Sequence, residues 1–313
     1  MTRARLILNG AHGDDEAVRE SVRILRQRGH EIEVRVTWEA GDASDFAASG
    51  CRKGVERLIA GGGDGTLNEV VNGILSCDLE CPPILGILPL GTGNDFATGC
   101  GVPSDSRAAM ELAVEGVAAA VDVGVANDRY FINVASGGMG ARITAETPSA
   151  LKQLLGGGAY LVNGLLSFSQ QNPSRLLIRG PGWQTEETLV IGAVSNGRQA
   201  GGGFVVAPEA RIDDGLLDVL VVGEFPLVEA ENVLDEIQQP TNPHNCFVRY
   251  WQTPWVEVEM LEGGAGFINV DGEQMSVHKV RFEVLPQRLL LVLPEGSPLL
   301  SQVEVADKEE NRA

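Results

Sequence analysis

The sequence has few of the features that mark membrane-spanning or disulfide-linked proteins. Its longest apolar stretches are only as long as strands, and residues 1–10 contain only Leu6-Ile7-Leu8 as a hydrophobic segment, which is too short for a signal sequence. Five cysteines without a C-x-x-C pair indicate reduced thiols rather than disulfides or a zinc site. We therefore expect a soluble, cytoplasmic protein.

Positive charge and histidine are also scarce. Lys and Arg number 24 against 43 Asp and Glu, and the net charge of −19 argues against a nucleic-acid partner, because phosphate backbones are bound through clustered Lys and Arg. A transient contact with a membrane surface stays open, since a local basic patch matters more than net charge over a screening length of about 8 Å. The four histidines show no spacing typical of a metal site or of a base beside a nucleophile.

The length and the periodicity of the sequence predict two domains. Within the 313 residues, 43% of them apolar, strands and amphipathic helices alternate over residues 1–125, which predicts an α/β domain with a mostly parallel sheet and flanking helices. Residues 126–289 carry short alternating strands and predict a mainly-β sandwich with inserted helices at about 148–170 and 226–239. Residues 306–313 form a charged tail.

The most informative stretch is Gly61-Gly62-Gly63-Asp64-Gly65-Thr66, which lies between an apolar strand and an amphipathic helix. Glycines allow phosphate oxygens to approach bare N–H groups, and the first turn of the helix adds free donors and the positive end of its dipole. The glycines by themselves could equally form a tight turn. Asp64 favours a phosphate that carries Mg²⁺, since this ion takes oxygen ligands. The stretch therefore indicates a metal-bound nucleotide.

A second loop of the same kind follows in Ile87-Leu88-Pro89-Leu90-Gly91-Thr92-Gly93-Asn94-Asp95-Phe96-Ala97. Adjacent parallel strands would bring both loops to the carboxyl edge of one sheet, where open α/β folds bind their ligands. Neither loop matches a P-loop, and Phe96 stands where the dinucleotide fingerprint has its third glycine. The nucleotide is expected to be held in a different way.

Six ordered blocks resemble the diacylglycerol-kinase-type lipid kinase family, and most closely its bacterial YegS-type members. They are GGGDGTLNEV from Gly61, ILPLGTGNDFA from Ile87, NVASGGMGARIT from Asn133, SNGRQAGGG from Ser195, APEARIDDGLLDV from Ala207 and NVDGEQ from Asn269. The first block by itself is less specific, because NAD kinases and sphingosine kinases resemble it too.

The resemblance implies a nucleotide held between the α/β domain, completed by residues 290–305, and a β-rich domain that helps to hold a lipid. It implies ATP contacts from one residue after the second strand, from the first glycine loop with its helix, and from the second loop. These residues are Thr37, Gly63, Asp64, Gly65, Thr66, Leu67, Asn68, Glu69 and Thr92.

The family also has a Mg²⁺ site in a loop of the β-rich domain. Here that resemblance points to Arg211, Asp214 and Leu216, with Asp214 as the side-chain ligand and the other two acting through their carbonyl groups. Such a donor set suits a hard cation, Mg²⁺ or Ca²⁺. Without the resemblance, Ile212-Asp213-Asp214-Gly215 is an ordinary turn signal.

For catalysis, the resemblance assigns proton acceptance to Glu273, which follows the turn pair Asp271-Gly272. Read alone, this pair is typical of a surface hairpin. Three further carboxylates, those of Asp64, Asp95 and Asp122, are unranked candidates for holding a catalytic Mg²⁺ on the phosphates.

The sequence therefore predicts an ATP- and Mg²⁺-dependent kinase that phosphorylates a hydroxyl of phosphatidylglycerol, diacylglycerol or a similar lipid. Transfer of a phosphoryl group needs in-line positioning, neutralised charge and a base near the attacking hydroxyl. The alternatives are an enzyme similar to NAD kinase with a soluble acceptor, and a nucleotide or lipid sensor without turnover. The sequence leaves the oligomeric state open.

Overall fold

The computed structural model describes residues 1–77, 79, 81–138, 174–262 and 265–301. Strands and helices alternate in its first part, as the periodicity predicts. They are β1 (Arg3–Leu8), α1 (Glu16–Gln27), β2 (Glu31–Val36), α2 (Asp42–Arg52), β3 (Arg57–Gly62), α3 (Asp64–Leu75), β4 (Ile84–Pro89), α4 (Asp95–Gly99) and α5 (Ser106–Glu115).

Local sequence signals set several of these elements. The carboxylate of Asp15 caps α1 by accepting hydrogen bonds from the N–H groups of Ala17 and Val18. Asp105 caps α5 in the same way through the N–H of Ala108. One face of α1, which includes Leu25, is buried against the sheet core.

The first four strands form a parallel sheet in the order β2-β1-β3-β4. β3 and β4 are neighbours, so the loops that follow them leave the sheet at the same edge. None of the described helices is long and apolar enough to cross a membrane.

The second part of the chain is mainly β. Its strands are β5 (Ala118–Ala126), β6 (Arg129–Phe131), β7 (Val134–Gly138), β8 (Ser174–Gly180), β9 (Trp183–Ser195), β10 (Gln199–Ala200), β11 (Phe204–Val205), β12 (Leu217–Gly223), β13 (Val248–Thr253), β14 (Trp255–Met260), β15 (Gly266–Val270), β16 (Glu273–Val277) and β17 (Lys279–Val292). One helix, α6 (Ala230–Gln238), lies within the predicted range 226–239. The predicted helix at 148–170 and the predicted tail at 306–313 fall outside the described residues.

The 14-residue strand β17 links the two parts. Its first half pairs with β14, with Glu283 opposite Trp255, and near its end Leu291 pairs with Leu85 of β4. Separate hydrophobic cores lie under the α/β layers and inside the β-rich part. The predicted α/β domain with a mostly parallel sheet and the mainly-β sandwich are thus confirmed.

Candidate active site

Two glycine-bearing loops meet at the carboxyl edge of the parallel sheet. Gly62 at the end of β3 is opposite Pro89 at the end of β4. A Cβ atom built on Gly91 would lie only 2.4 Å from the Cα of Gly63, which is too short a distance for two carbon atoms that are not bonded. Glycine at position 91 therefore allows the two loops to form one continuous surface.

This surface is one wall of a cleft of about 620 Å³ between the α/β domain and the β-rich domain. The cleft brings together seven of the residues that the sequence nominated. They are Asp64, Gly65, Asn68, Glu69, Thr92, Asp95 and Glu273. Five carboxylates line the cleft, and none of its lining residues within the described ranges is Lys, Arg or His. A strongly acidic cleft suits phosphates only when cations accompany them.

The Asp64 carboxylate joins the first loop to the second. It accepts hydrogen bonds from the backbone N–H groups of Asp95, at 3.1 Å, and Phe96, at 3.3 Å. These groups are at the start of α4, where helical N–H groups have no partner within the helix. Burial, and then the charge of Asp95, raise the pKa of Asp64, while the hydrogen bonds oppose that rise. Asp64 therefore holds the first loop against the start of α4.

The Asp95 carboxylate joins the α/β domain to the β-rich domain. It accepts hydrogen bonds from the N–H groups of Gly202, at 2.9 Å, and Gly203, at 2.6 Å. The segment 201–203 has positive φ at all three glycines, a conformation that other residues rarely adopt. Asp95 is 7% exposed and closes the cleft on this side.

Asp122 lies at a different place from the other two aspartates. It is fully buried in β5, and its carboxylate accepts hydrogen bonds of 2.7 Å from the N–H groups of Gly215 and Gln287. Burial raises its pKa, and the charge of Asp213 adds to the rise. The structure therefore places Asp122 beside the predicted metal turn, whereas Asp64 and Asp95 line the cleft.

Asp271 is a central residue that sequence reasoning read only as part of a turn. Its carboxylate accepts hydrogen bonds from the N–H groups of Ile132 at 2.7 Å and Val134 at 2.8 Å, and from the Nδ2 group of Asn68 in α3 at 3.0 Å. Burial raises the pKa of Asp271, and these donors oppose the rise. Asp271 also has a positive φ of 47°, a conformation that few residues other than glycine adopt.

Glu273 begins β16 at the rim of the cleft. Its carboxylate pairs with the guanidinium of Arg129, with 2.6 Å between Oε2 and Nη1. Both side chains are about half exposed, at 46% for Glu273 and 52% for Arg129. The sequence did not identify Arg129, because 144 residues separate it from its partner. The carboxylate is thus held in place while it remains accessible from the cleft.

Four predicted nucleotide contacts do not line the cleft. Gly63 lies against Gly91 of the second loop, where a Cβ on Gly63 would be 3.2 Å from the Cα of Gly91. The others divide into two groups. Thr37 and Thr66 line an adjoining pocket of about 440 Å³ together with Glu69, which lines the cleft as well. Leu67 is 3% exposed and packs in the core, and its N–H already donates to the carbonyl of Gly63. Leu67 therefore supports the loop from behind.

The predicted metal turn contains two aspartates, Asp213 and Asp214, with distinct partners. Asp213 accepts from the N–H of Ser301, and Asp214 accepts from the N–H of Leu216 at 3.0 Å. The Arg211 guanidinium donates to the carbonyl of Leu300, which leaves only the backbone of Arg211 available to the turn. Among the described residues, no three acidic, His or Cys side chains lie close enough together to hold a metal ion.

An apolar cavity of about 350 Å³ lies inside the β-rich domain. Its walls come from β7, β8, β9, β12 and β14 to β17, and they include Leu176, Ile178, Val221, Val258 and Phe282. Ser136 lines both this cavity and the polar cleft. The two spaces therefore adjoin each other at β7.

Family comparisons cover both domains. Residues 3–126 match the diacylglycerol kinase catalytic domain, and residues 133–293 match the YegS C-terminal NAD kinase beta sandwich-like domain. A protein of Chromohalobacter salexigens named "Probable lipid kinase YegS-like" is 46% identical over 297 residues, covering 95% of this chain and 94% of its own length. A protein of Shewanella frigidimarina with the same name is 41% identical over 303 residues, covering 96% and 97%.

Two crystal structures from Bacillus anthracis share the fold. The first has a TM-score of 0.80 at 24% identity and covers 95% of this chain and 96% of its own. The second, described as that of a diacylglycerol kinase, has a TM-score of 0.73 at 23% identity and covers 95% and 98%. With both domains matched and close relatives aligned over nearly their whole length, the chain belongs to the family of YegS-like lipid kinases.

Proposed function

We propose that this kinase transfers the γ-phosphate of ATP to a hydroxyl group of a membrane lipid, such as phosphatidylglycerol, diacylglycerol or a related molecule. The observation that carries the proposal is the position of Ser136 between the acidic cleft and the apolar cavity. A lipid has a polar end and long apolar chains, so it needs two adjoining spaces of this kind. A soluble dinucleotide acceptor has no long apolar chain that would fill a cavity of this kind.

The nucleotide phosphates are proposed to lie against the two glycine loops. Gly65 is exposed at the start of α3 and lines the cleft, where the N–H groups of the first helical turn favour negative charge. Thr92 lines the same cleft and supplies a hydroxyl group from the second loop. The transient contact of the protein with a membrane surface is part of the proposal, since the acceptor is a lipid.

The residues present fit divalent cations. In the turn at 211–216, burial raises the pKa of Asp214, and the charges of Asp122 and Asp213 add to the rise. A cation there would offset this repulsion, and the Asp214 carboxylate with the carbonyls of Arg211 and Leu216 would hold Mg²⁺ or Ca²⁺. In the cleft, the carboxylates of Asp64 and Asp95 would hold the Mg²⁺ that accompanies ATP, and this ion would neutralise charge on the phosphates.

In the proposed reaction, the carboxylate of Glu273 accepts the proton of the lipid hydroxyl. The lipid oxygen attacks the γ-phosphorus in line, a new P–O bond forms, the bond to the β-phosphate oxygen breaks, and ADP leaves. The Arg129 guanidinium keeps the Glu273 carboxylate in one orientation until the substrate is bound. Loop N–H groups stabilise the charge that the phosphoryl group carries.

A transfer assay with labelled γ-phosphate tests the proposal. The acceptors are micelles of phosphatidylglycerol, diacylglycerol, ceramide or sphingosine, and NAD in solution, each with and without Mg²⁺. We expect label in a lipid only with Mg²⁺ present, and a loss of about a hundredfold or more in the Glu273→Gln variant. The matched control is Glu283→Gln, which removes an exposed glutamate paired with Arg281 away from the cleft. Label in NAD alone would establish a soluble acceptor, and ATP binding without any transfer would establish a sensor.

A further inference from the structure

Trp38 is an exposed aromatic residue beside the pocket that adjoins the cleft. The residue is 95% exposed, the largest value for a large apolar residue in the described part of the chain. It directly follows Thr37, and both residues line the pocket of about 440 Å³. An indole left in water at the rim of a pocket is a surface that a ligand would cover.

The backbone beneath Trp38 is held firmly. The Asp42 carboxylate accepts hydrogen bonds from the N–H groups of Trp38, at 2.6 Å, and Glu39, at 3.0 Å, and these bonds lower the pKa of Asp42. At the other side of the turn, the N–H of Gly41 donates to the Glu69 carboxylate over 3.1 Å. The turn therefore presents the indole from a fixed position, so little backbone entropy is lost when a ligand covers it.

The lining of the pocket suits an uncharged ring that carries polar groups. Small residues, Gly10, Ala11, Ala40 and Ala43, form much of its lining, with polar groups from Asn9, Thr37 and Thr66. Glu69 lines both this pocket and the cleft, so a ligand in the pocket lies next to the glycine loops. The pocket contains Thr37, Thr66 and Glu69, three of the ATP contacts that the family resemblance implies. We propose that Trp38 stacks on the purine base of the nucleotide that binds there. The inference rests on the proposed function only for the identity of the nucleotide as ATP.

A lipid surface is the other occupant that an exposed tryptophan could have. The residues around it oppose this, because Glu39, Asp42 and Glu69 are acidic and would be repelled by an anionic bilayer. A purine base is uncharged, and it would meet the indole face without this repulsion. The charges around Trp38 therefore favour a purine base over a lipid surface as the group that covers the indole.

Tryptophan fluorescence tests the proposal without any acceptor lipid. The other three tryptophans lie in the β-rich domain: Trp183 stacks on Trp251 at 5.2 Å, and the guanidinium of Arg281 covers Trp255 at 4.2 Å. We expect Mg²⁺–ADP to quench the wild-type emission in a saturable manner, and inorganic tripolyphosphate with Mg²⁺ to leave it unchanged. Trp38→Phe should lack the quench, and the matched control Trp255→Phe should keep it.

The affinity for the nucleotide distinguishes stacking of the indole on the base from simple proximity of the two rings. Trp38→Ala should raise the Kd for Mg²⁺–ADP and the KM for ATP about tenfold, since stacking of a base on an aromatic ring contributes to binding, while Trp38→Phe should stay within about threefold of wild type. The KM for the lipid should not change. An unchanged Kd in Trp38→Ala, or quenching by phosphatidylglycerol vesicles but not by Mg²⁺–ADP, would overturn the proposal. Quenching by the nucleotide without transfer to any lipid would instead refute the proposed function and leave this inference standing.

Discussion

The N–H of Gly203 donates a 2.6 Å hydrogen bond to the carboxylate of Asp95, and this bond joins the two domains across the cleft. A second bond, from Gly202, uses the other carboxylate oxygen. Asp95 therefore holds the hairpin of β10 and β11 against the α/β domain. The width of the cleft on this side depends on one carboxylate and two N–H groups.

Removal of this carboxylate should loosen the link between the domains. In Asp95→Ala we expect a loss of about 2 kcal/mol in the free energy of unfolding, because hydrogen bonds to charged groups contribute roughly 1.5–3 kcal/mol. Amide hydrogen exchange at Gly202 and Gly203 should become faster. The control is Asp14→Ala, at an exposed position, and it should lie within about 0.5 kcal/mol of wild type. Unchanged exchange at both glycines would contradict the role of Asp95.

Two glycines of the loops should respond in opposite ways to alanine. At Gly91 a Cβ would lie 2.4 Å from the Cα of Gly63, so Gly91→Ala should lower the melting temperature and the affinity for ATP together. At Gly65, in the first turn of α3, a Cβ would meet nothing within 4 Å. Gly65→Ala should raise stability by up to about 1 kcal/mol, because alanine is the better helix former.

The same Gly65→Ala protein should bind ATP less tightly, since its methyl group would stand where phosphate approaches the bare backbone. Calorimetric melting and nucleotide titration of the two variants side by side separate the effects. A Gly65→Ala protein with unchanged affinity for ATP would place the phosphates elsewhere.

The ion pair between Arg129 and Glu273 should control turnover more than binding. We expect Arg129→Gln to lower kcat roughly ten- to a hundredfold while the KM for ATP stays near its wild-type value, because the Glu273 carboxylate would lose its orientation. Arg129→Lys, which keeps the charge, should recover part of the loss. Arg175→Gln, at another exposed arginine with two glutamate partners, serves as the control in the same steady-state assay. Equal kcat in wild type and Arg129→Gln would show that the pair has no part in the reaction.

A larger side chain in the apolar cavity should weaken binding of the lipid and leave binding of the nucleotide unchanged. Gly137 lines the cavity, and a Cβ there would meet only Ile268 at 3.8 Å, an ordinary contact. Gly137→Leu should raise the KM for the lipid about tenfold or more and leave Mg²⁺–ATP binding intact, while Gly137→Ala should behave nearly as wild type. If both variants phosphorylate long-chain lipids equally well, the chains do not occupy this cavity.

The stability of the protein should depend on pH through Asp218, which is 1% exposed. Burial raises its pKa from 3.8 to about 6, and hydrogen bonds from Tyr250 and Gln252 oppose the rise. The folded protein therefore binds this proton more tightly than the unfolded chain does. The corresponding stability, about 3 kcal/mol, should be present below pH 4 and be lost as the pH rises to about 6.

Comparison of Asp218→Asn with wild type isolates this contribution. The difference in melting temperature between the two proteins, measured with a chelator present, should change over that pH interval and be constant above it. Asp235→Asn, at an exposed position, should follow the wild-type curve. Parallel curves for wild type and Asp218→Asn would mean that the carboxyl has an ordinary pKa in the folded state.

Much of the fold was readable from local patterns. The strand that ends at Gly62 and the helix that starts at Asp64 carry clear apolar periodicity, and α6 falls inside its predicted range. The two loops also lie side by side as predicted, because strands β3 and β4 are adjacent and parallel. Such signals are local, and they survive in the sequence of a single chain.

The sequence does not predict hydrogen-bond partners that lie far apart along the chain. Asp122 was grouped with Asp64 and Asp95, yet the pairing of β5 with β17 buries it beside Gly215 and Gln287. Asp271 resembled an ordinary turn residue, although its carboxylate binds three consecutive N–H groups some 140 residues earlier in the chain. No turn propensity or spacing carries information on contacts so far apart.

By itself the sequence determined the two domains, the glycine loops and the family resemblance, because periodicity, glycine placement and ordered motifs are properties of neighbouring residues. Only the tertiary structure decided which carboxylates line the cleft, that Arg129 pairs with Glu273, and that an apolar cavity adjoins the cleft at Ser136. These features arise where strands distant in sequence pack together, and burial and charge act through distance in space rather than along the chain.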